Sequence, residues 1–484
     1  MYEDEAKGTE DVVTKKSLLS KLSNVKIPHA FVLISCMIVL AWIATYVLPA
    51  GKFARETVLV KDTMRSVLIP GTYKAVASSP ASFMDLTSAF YMGLIKAAEV
   101  VFLIFFAYSC FNMVLLTGAL NTFIHRLLKM MRGAEWLFIV VFSYLFSLGG
   151  SVAGMGSEFY GFMPLFISLA IAMGYDAMVG FAVVNMTASI GFGAGTSNPF
   201  TVQVAQSICQ LPLLSGIEYR FIWWFIFTTM NVIYILWYAY KIKKDPSKSL
   251  LADLPREEGG SYEIKEETDH PITFRDILII LVVVVSMVFL VVGAIQWNWG
   301  MKEIVGTFIA MSVASTLIAG WNPDRIAEEF IDGCRGIVYG ALITGLARGI
   351  LIILEKGNVI DTIMYYAAGL FEGLSPWIAV QAMFVVQACI NFLIPSGSGQ
   401  AATTMPIMAG MADLLGISRQ VAILAFQFGD GFFNLIWPTS GIVVACALAK
   451  VPMGRWLKFY LPFFGMAVVG VVICLTVAMQ INLQ

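Results

Sequence analysis

Runs of 18 or more mostly apolar residues recur along the chain. Each is long enough to cross about 30 Å of hydrocarbon as a helix. Lipid offers no partner to a backbone amide or carbonyl, so a spanning segment must be a helix or part of a closed barrel. A barrel would show short alternating segments, and the sequence lacks that pattern. Of 484 residues, 58% are hydrophobic and 13% charged, too little charge for a soluble protein of this length. The expected fold is an all-α polytopic membrane protein. The net charge of -1 and the lack of a Lys/Arg run argue against a nucleic-acid partner. The partners expected are the lipid bilayer and a small solute.

Spans are predicted at 28–50, 94–117, 178–208, 221–240, 274–295, 302–320, 336–354, 419–449 and 456–478. The first is too long for a signal-peptide core and no small-residue cleavage site follows it, so it reads as a retained span. Two further stretches, 136–172 and 377–415, read as helix, Gly/Ser-rich break, helix. Their breaks are "SLGGSVAGMGSE" at 147–158 and "IPSGSGQAATT" at 394–404. Each arm is about 15 residues, short for a span of about 20. They are expected to be re-entrant hairpins.

Basic residues set the orientation. Lys15, Lys16, Lys21 and Lys26, then Arg126, Lys129 and Arg132, then Lys241, Lys243, Lys244 and Lys248, then Lys450, Arg455 and Lys458 all fall on one side if both hairpins are re-entrant. That side is read as the cytoplasm of an inner membrane, with the N-terminus inside and the C-terminus outside. Only isolated basics such as Arg220, Lys302, Lys356 and Arg419 then fall in the short outside loops.

The hairpins open to opposite sides in this scheme, which implies two inverted-topology repeats. Met163-Pro164 and Met405-Pro406 each follow a hairpin break, 242 positions apart, and Gly174 and Gly416 keep that spacing. Gly93 and Gly333, and Thr122 and Thr362, lie 240 apart. Residues 1–27 read as a cytoplasmic tail, 28–241 as the first repeat, 242–273 as a cytoplasmic linker and 274–484 as the second repeat. The amphipathic segments near 83–95 and 322–336 are expected to be interfacial helices.

The spans at 178–208 and 419–449 are themselves interrupted, by "GAGTSNPFT" at 193–201 and "FGDGFFNLIWPTSG" at 428–441. Irregular backbone at membrane depth must be buried in protein or line a watery cavity. Four breaks in matched pairs therefore point to one polar site near the midplane. Asn198 is expected to cap the following half-helix with Pro199 in its first turn, aiming free N–H groups at a substrate carboxylate. Thr196 and Ser197 belong to this break. Asn434, Pro438, Thr439 and Ser440 offer similar groups in the second. The hairpin tips add Ser157, Glu158, Ser398 and Gln400.

Ionisable residues deep in spans are costly and usually functional. These are Glu99, Glu158, Arg348 and Asp430, with Glu99 placed near a span end. Coupling-ion candidates for H⁺ or Na⁺ are Glu158, Asp430, Ser197 and Thr439. A structural ion pair with Arg348 is the plain alternative for either Glu158 or Asp430. Of the nearby aromatics, Phe159, Tyr160, Phe200, Phe432, Phe433 and Trp437, most are expected to be core. The seven cysteines are scattered without C-x-x-C and read as packing residues. His29, His125 and His270 lie at segment ends or in polar loops. No cofactor or metal centre is expected.

The order hairpin, "GTSNPFTVQVAQ", then "NFLIPSGSGQAATTMPIMAGMADLLGISRQVAILAFQFGDGFFNLIWPTSG" resembles the YfcC/DcuC family of the ion transporter superfamily. "VLPAGKFAR…PGTY", 47–73, fits its N-terminal part, and the likeness covers nearly all of the chain past about residue 25. The resemblance implies a secondary carrier with inverted repeats and opposed hairpins. It also implies possible dimers and substrates that are C4-dicarboxylates or basic amino acids such as arginine and ornithine. In related dicarboxylate carriers Ser-Asn-Thr motifs bind Na⁺ and substrate. Here Ser197-Asn198 is followed by Pro199, and the second copy is Thr439-Ser440-Gly441, a departure that bears on Na⁺ use. One cationic side chain, Arg348, and two acids suit an amino acid better than a dicarboxylate. A channel fits discontinuous helices less well than a carrier. An intramembrane protease is excluded by incomplete motifs: position 427 is Gln in "FGDG" context and 396 is Ser in "SGSGQ".

Overall fold

The computed structural model describes residues 30–60, 63–120, 122, 134–254, 273–297, 299–371 and 373–484. The expected tail 1–27, Arg126, Lys129 and Arg132, and the linker past 254 lie outside the described residues. Among the described residues, six helices are long and apolar enough to cross a membrane: Ala98–Leu116, Glu135–Ala153, Ile217–Lys244, Pro323–Lys356, Pro376–Leu393 and Met453–Gln480. The chain is a mostly helical, multi-pass membrane protein.

It is not all-helical. After α1 (Ala30–Val47), β1 (Gly51–Lys52) pairs with β4 (Lys74–Ala75), and β2 (Arg55–Val60) pairs antiparallel with β3 (Thr63–Leu68). The register runs from Arg55 opposite Leu68 to Val60 opposite Thr63. Thr57, Val58, Val60, Thr63 and Val67 are β-branched, which favours extended backbone, and short length hides this signal among the apolar spans.

The first half continues with α2 (Phe83–Lys96), α3 (Ala98–Leu116), α4 (Glu135–Ala153), α5 (Ser157–Ala172), α6 (Ala177–Gly193), α7 (Val202–Ile208) and α8 (Ile217–Lys244). Ser82 opens α2 through a reciprocal capping box with Asp85. The second half holds α9 (Phe274–Gln296), α10 (Met301–Ile318), α11 (Pro323–Lys356), α12 (Ile360–Gly369), α13 (Pro376–Leu393), α14 (Gly397–Leu414), α15 (Arg419–Gly431), α16 (Ile442–Leu448) and α17 (Met453–Gln480). Helices α13 to α17 repeat the order of α4 to α8, each starting 236 to 242 positions later. The segment 322–336 is no separate interfacial helix. Asn322 caps α11, and the helix runs on without interruption to Lys356. Its counterpart in the first half is split at Ala97 into α2 and α3.

The hairpin breaks are shorter than expected. Helix α4 continues through Gly149, Gly150 and Ser151 to Ala153, and α14 starts at Gly397. The first arms are thus 19 and 18 residues, not about 15. The glycines serve packing: a Cβ on Gly150 would lie 2.2 Å from the Ala188 carbonyl oxygen, and one on Gly191 2.0 Å from that of Ser147. Helices α4 and α6 touch backbone to backbone there, the small-residue contact common in membranes.

Two groups of helices result. In one, α11 packs on α1, α2 and α3, α3 on α10, and α10 on α9. In the other, α6 packs on α4, α8 and α15, and α15 on α13, α14 and α17. The groups meet where α11 touches α16 and where β3 lies on α14. Within the second group the two interrupted helices cross at their ends. A Cβ on Gly431 would fall 2.0 Å from the Gly193 Cα.

The basic clusters at 241–248 and 450–458 share one end of the bundle. Arg455 donates to Asp253 just past the first cluster and holds the Asp253 carboxyl below its usual range. Tyr238 and Ser249 each donate to Asp176 at 2.6 Å, tying the linker's start to that same end. Arg220 is misplaced by the span boundaries. Helix α8 starts at Ile217, so Arg220 lies within its first turn and is 2% exposed, not in a loop. Its Nη2 donates to Gln420 Oε1 at 2.9 Å.

The crossing gives a direct test. Gly431→Ala should lower the melting temperature in detergent by an overpacking cost of about 1–3 kcal/mol. Gly410→Ala, where an added Cβ meets nothing within 4 Å, should be neutral or stabilising. Equal melting temperatures for the two variants would contradict the close crossing.

Candidate functional site

The second group of helices satisfies its broken backbone from within. Around the second break, which runs through a tight turn at Phe432–Leu435, Tyr460 donates to the Phe432 carbonyl at 3.0 Å and Trp456 to that of Leu435 at 2.9 Å. Trp437 donates to the Ala388 carbonyl at 2.8 Å, and Tyr160 reaches from the first hairpin to the Gly441 carbonyl at 3.1 Å. In the first break, Thr196 N donates to Ser151 Oγ at 3.0 Å. Gln427 closes the crossing by donating to the Phe192 carbonyl at 2.6 Å. These bonds pair buried polar groups that would otherwise be costly to bury, although the Gly441 and Phe192 carbonyls also accept from Ala445 N and Gly195 N.

Beside this crossing lies a cavity of about 530 Å³ between the two groups of helices. One wall comes from the breaks: Gly156 and Ser157, Pro395 and Ser396, and Asn434, Pro438, Thr439 and Ser440. Asn185, Ser189 and Phe192 of α6 join them. The opposite wall comes from the α2–α3 junction, with Lys96, Ala97 and Glu99, and from α11, with Ala347 and Arg348. Among the described residues, Arg348, Glu99 and Lys96 form no ion pair. The ion pair considered for Glu158 or Asp430 with Arg348 does not form.

Of the residues predicted from sequence, Ser157, Asn434, Pro438, Thr439 and Ser440 line the cavity, while Glu158, Thr196, Ser197, Asn198, Pro199, Ser398, Gln400 and Asp430 do not. Glu158 folds back on its own turn, where Gly156 N donates to Oε2 at 2.7 Å. Asn198 does not cap α7 with its side chain. Its Oδ1 accepts from Phe200 N at 2.9 Å, Thr201 takes the cap position, and Pro199 precedes the helix. Helix α7 has seven residues, so the dipole expected at its N-terminus is weak. Ser398 and Gln400 lie in the first turn of α14. Gln400 Nε2 donates to the Gln387 carbonyl at 2.9 Å and to its Oε1 at 2.8 Å. Phe159, Tyr160 and Phe432 are core as expected, whereas Phe200 is 51% exposed.

Asp430 is fully buried behind the cavity wall. Asn391 Nδ2 donates to Asp430 Oδ1 at 2.8 Å and reaches Asn434 Oδ1 at 3.3 Å, and Ser440 Oγ donates to Asn434 Oδ1 at 2.9 Å. A polar chain thus connects Asp430 to the cavity. Asp430 Oδ2 and Thr201 Oγ1 are buried without a hydrogen-bond partner. Both crowd Gly397, where a Cβ would lie 2.9 Å from Asp430 Oδ2 and 2.4 Å from Thr201 Cγ2. Among the described residues, no group of three or more His, Cys, Asp or Glu side chains could hold a metal ion. Sequence reasoning passed over Asn391, Lys96 and Asn185. Gln387 and Asn391 were findable as a polar pair at i, i+4 inside an apolar arm.

Asn391→Leu removes a donor to a buried carboxyl and should cost about 1–3 kcal/mol. The double variant Asn391→Leu with Asp430→Leu should recover part of that loss in thermal unfolding, because both partners are then apolar. Strict additivity of the two single variants would contradict the coupling.

Residues 27–480 match the family model described as "DcuC: C4-dicarboxylate anaerobic carrier". The chain is 33% identical over 470 residues to an Escherichia coli K12 protein named "Putative basic amino acid antiporter YfcC", covering 89% of this chain and 92% of that one. A Haemophilus influenzae protein described only as "Uncharacterized protein" is 29% identical over 486 residues, 92% of this chain and 95% of its own length. The solved Alcanivorax borkumensis YdaH transporter aligns over 94% of this chain and 99% of its own, at 14% identity and a TM-score of 0.42. Two independent matches, each spanning nearly the whole length, leave one conclusion: this chain belongs to the DcuC family of membrane transporters and is not an enzyme.

Proposed function

We propose that the chain is a secondary active transporter of the inner membrane that exchanges amino acids, favouring basic ones such as arginine and ornithine, by alternating access. The observation that carries this reading is the charge of the cavity. Arg348 and Glu99 line it with opposite signs and, among the described residues, form no ion pair; with Lys96 beside them they present both signs to a zwitterion. Arg348 would take the α-carboxylate through two parallel hydrogen bonds. Glu99 would take an ammonium. The name carried by the Escherichia coli relative supports the same class.

The recurring element order of α4–α8 and α13–α17 supports an inverted-repeat reading, with α4–α5 and α13–α14 as hairpins entering from opposite faces. In that reading 28–241 and 274–484 are the repeats, and their breaks meet at the crossing. Residues Asn198 and Pro199 act through the shape of the first break, not by direct contact. Asp430 is the coupling-group candidate, reached from the cavity through Asn391 and Asn434.

A C4-dicarboxylate is the second reading. It is favoured by the family's description and by Lys96, which stands with Arg348 as a second cation in the wall. Counterflow separates the two. Proteoliposomes loaded with ornithine should take up labelled arginine, with inhibition by lysine and not by succinate. Inhibition or exchange by succinate alone, abolished in Lys96→Met, would establish the dicarboxylate reading instead. Asp430→Asn should stay folded and lose uptake or its dependence on an ion gradient. Unchanged uptake and ion dependence would remove Asp430 from the mechanism.

A further inference from the structure

A second cavity, of about 540 Å³, adjoins the first and shares two wall residues with it, Arg348 and Ser396. It lies under the strand segment: Gly51, Lys52, Phe53 and Arg55 form one side, and Leu351, Glu355, Asn358 and Asp361 another. The tip of the second hairpin and the start of α14, with Gly399 and Thr403, form a third side.

Its charges are not all alike. Asp361 is occupied. Arg55 Nη2 donates to Asp361 Oδ1 at 2.7 Å, and Phe53 N donates to Oδ2 at 3.0 Å. That pair pins the strand segment to α12. Among the described residues the Glu355 side chain makes no hydrogen bond or ion pair, and neither does that of Arg348. Both stand on α11, seven residues apart, so they share a face. Seven residues rise about 10.5 Å along the axis, and the two side chains do not pair with each other in the structure. Lys52 adds an exposed cation on the strand side. An acid and a base left unpaired along one cavity suit a ligand that is itself long and oppositely charged at its ends.

We propose that this cavity is a vestibular binding site for basic amino acids, resting on the exchange reading above. The α-carboxylate binds Arg348 and the terminal ammonium or guanidinium binds Glu355, with Ser396 and Thr403 hydroxyl oxygens along the wall between them. Because Arg348 and Ser396 also line the central cavity, the carboxylate end need not leave its anchor as the ligand passes inward. A short neutral amino acid cannot reach both ends. Selection for length and terminal charge is thus applied before the central site is reached.

The test measures labelled arginine exchange at each membrane face separately, in vesicles of known orientation. At the face carrying 51–75, Glu355→Gln should raise KM about three- to fivefold, the weight of a partly solvated charge pair. Glu355→Lys should raise it further, and Glu355→Asp should restore most of the loss. Maximal rate and the KM at the opposite face should stay at wild-type values. An unchanged KM at the strand-bearing face, or an equal rise at both faces, overturns the vestibular site and leaves the exchange reading standing. A wild-type protein that carries no basic amino acid overturns the exchange reading and this site with it.

Discussion

The structure depends on one contact, the crossing of two helix ends at Gly193 and Gly431. The two backbones meet there at a distance that admits no side chain. Helices α6 and α15 both stop at this point, and each chain then runs irregularly before resuming as α7 and α16. A helix that stops inside a membrane leaves carbonyl groups without partners. Bringing two such stops together lets one protein core satisfy both, instead of two separate cores. Gln427 makes this concrete by spanning the crossing to the Phe192 carbonyl.

The donors that complete this arrangement come from far along the chain. Tyr460 and Trp456 belong to α17, Tyr160 to the first hairpin and Asn391 to the second. The result is a polar interior that is largely paired around its backbone. Several buried side-chain oxygens there have no partner among the described residues, and two of them, Asp430 Oδ2 and Thr201 Oγ1, lie at the junction with the second hairpin. Apolar bulk surrounds this interior: Phe227, Phe428 and Phe432 pack edge-on and stacked against one another.

The other helix group contributes charge instead of shape. Arg348 and Glu355 project from one face of α11, while Lys96 and Glu99 flank the α2–α3 split at Ala97. Among the described residues these charges form no ion pair, although Lys356 nearby pairs with Asp85, so the wall of the cavity carries charge that the other helix group does not neutralise.

The sequence alone determined that the chain spans a membrane, because apolar runs of that length have no other solvent. It also determined the positions of both interrupted helices, since Gly, Asn and Pro cannot be carried through a helix without cost. The internal recurrence of elements was legible in pairs such as Met163-Pro164 and Met405-Pro406. Family membership was legible in the long motif from 391 to 441. Only the tertiary structure decided what the small residues were for. Gly150 reads as a break in sequence and is a helix contact in space, because close packing and chain flexibility both select glycine. Only the tertiary structure separated Asp430, buried behind the wall, from Asn434 and Thr439 on its surface. It alone moved Arg220 from a loop into the core and placed Arg348 between two cavities. The direction a side chain faces depends on which distant helix packs beside it, and no local pattern encodes that.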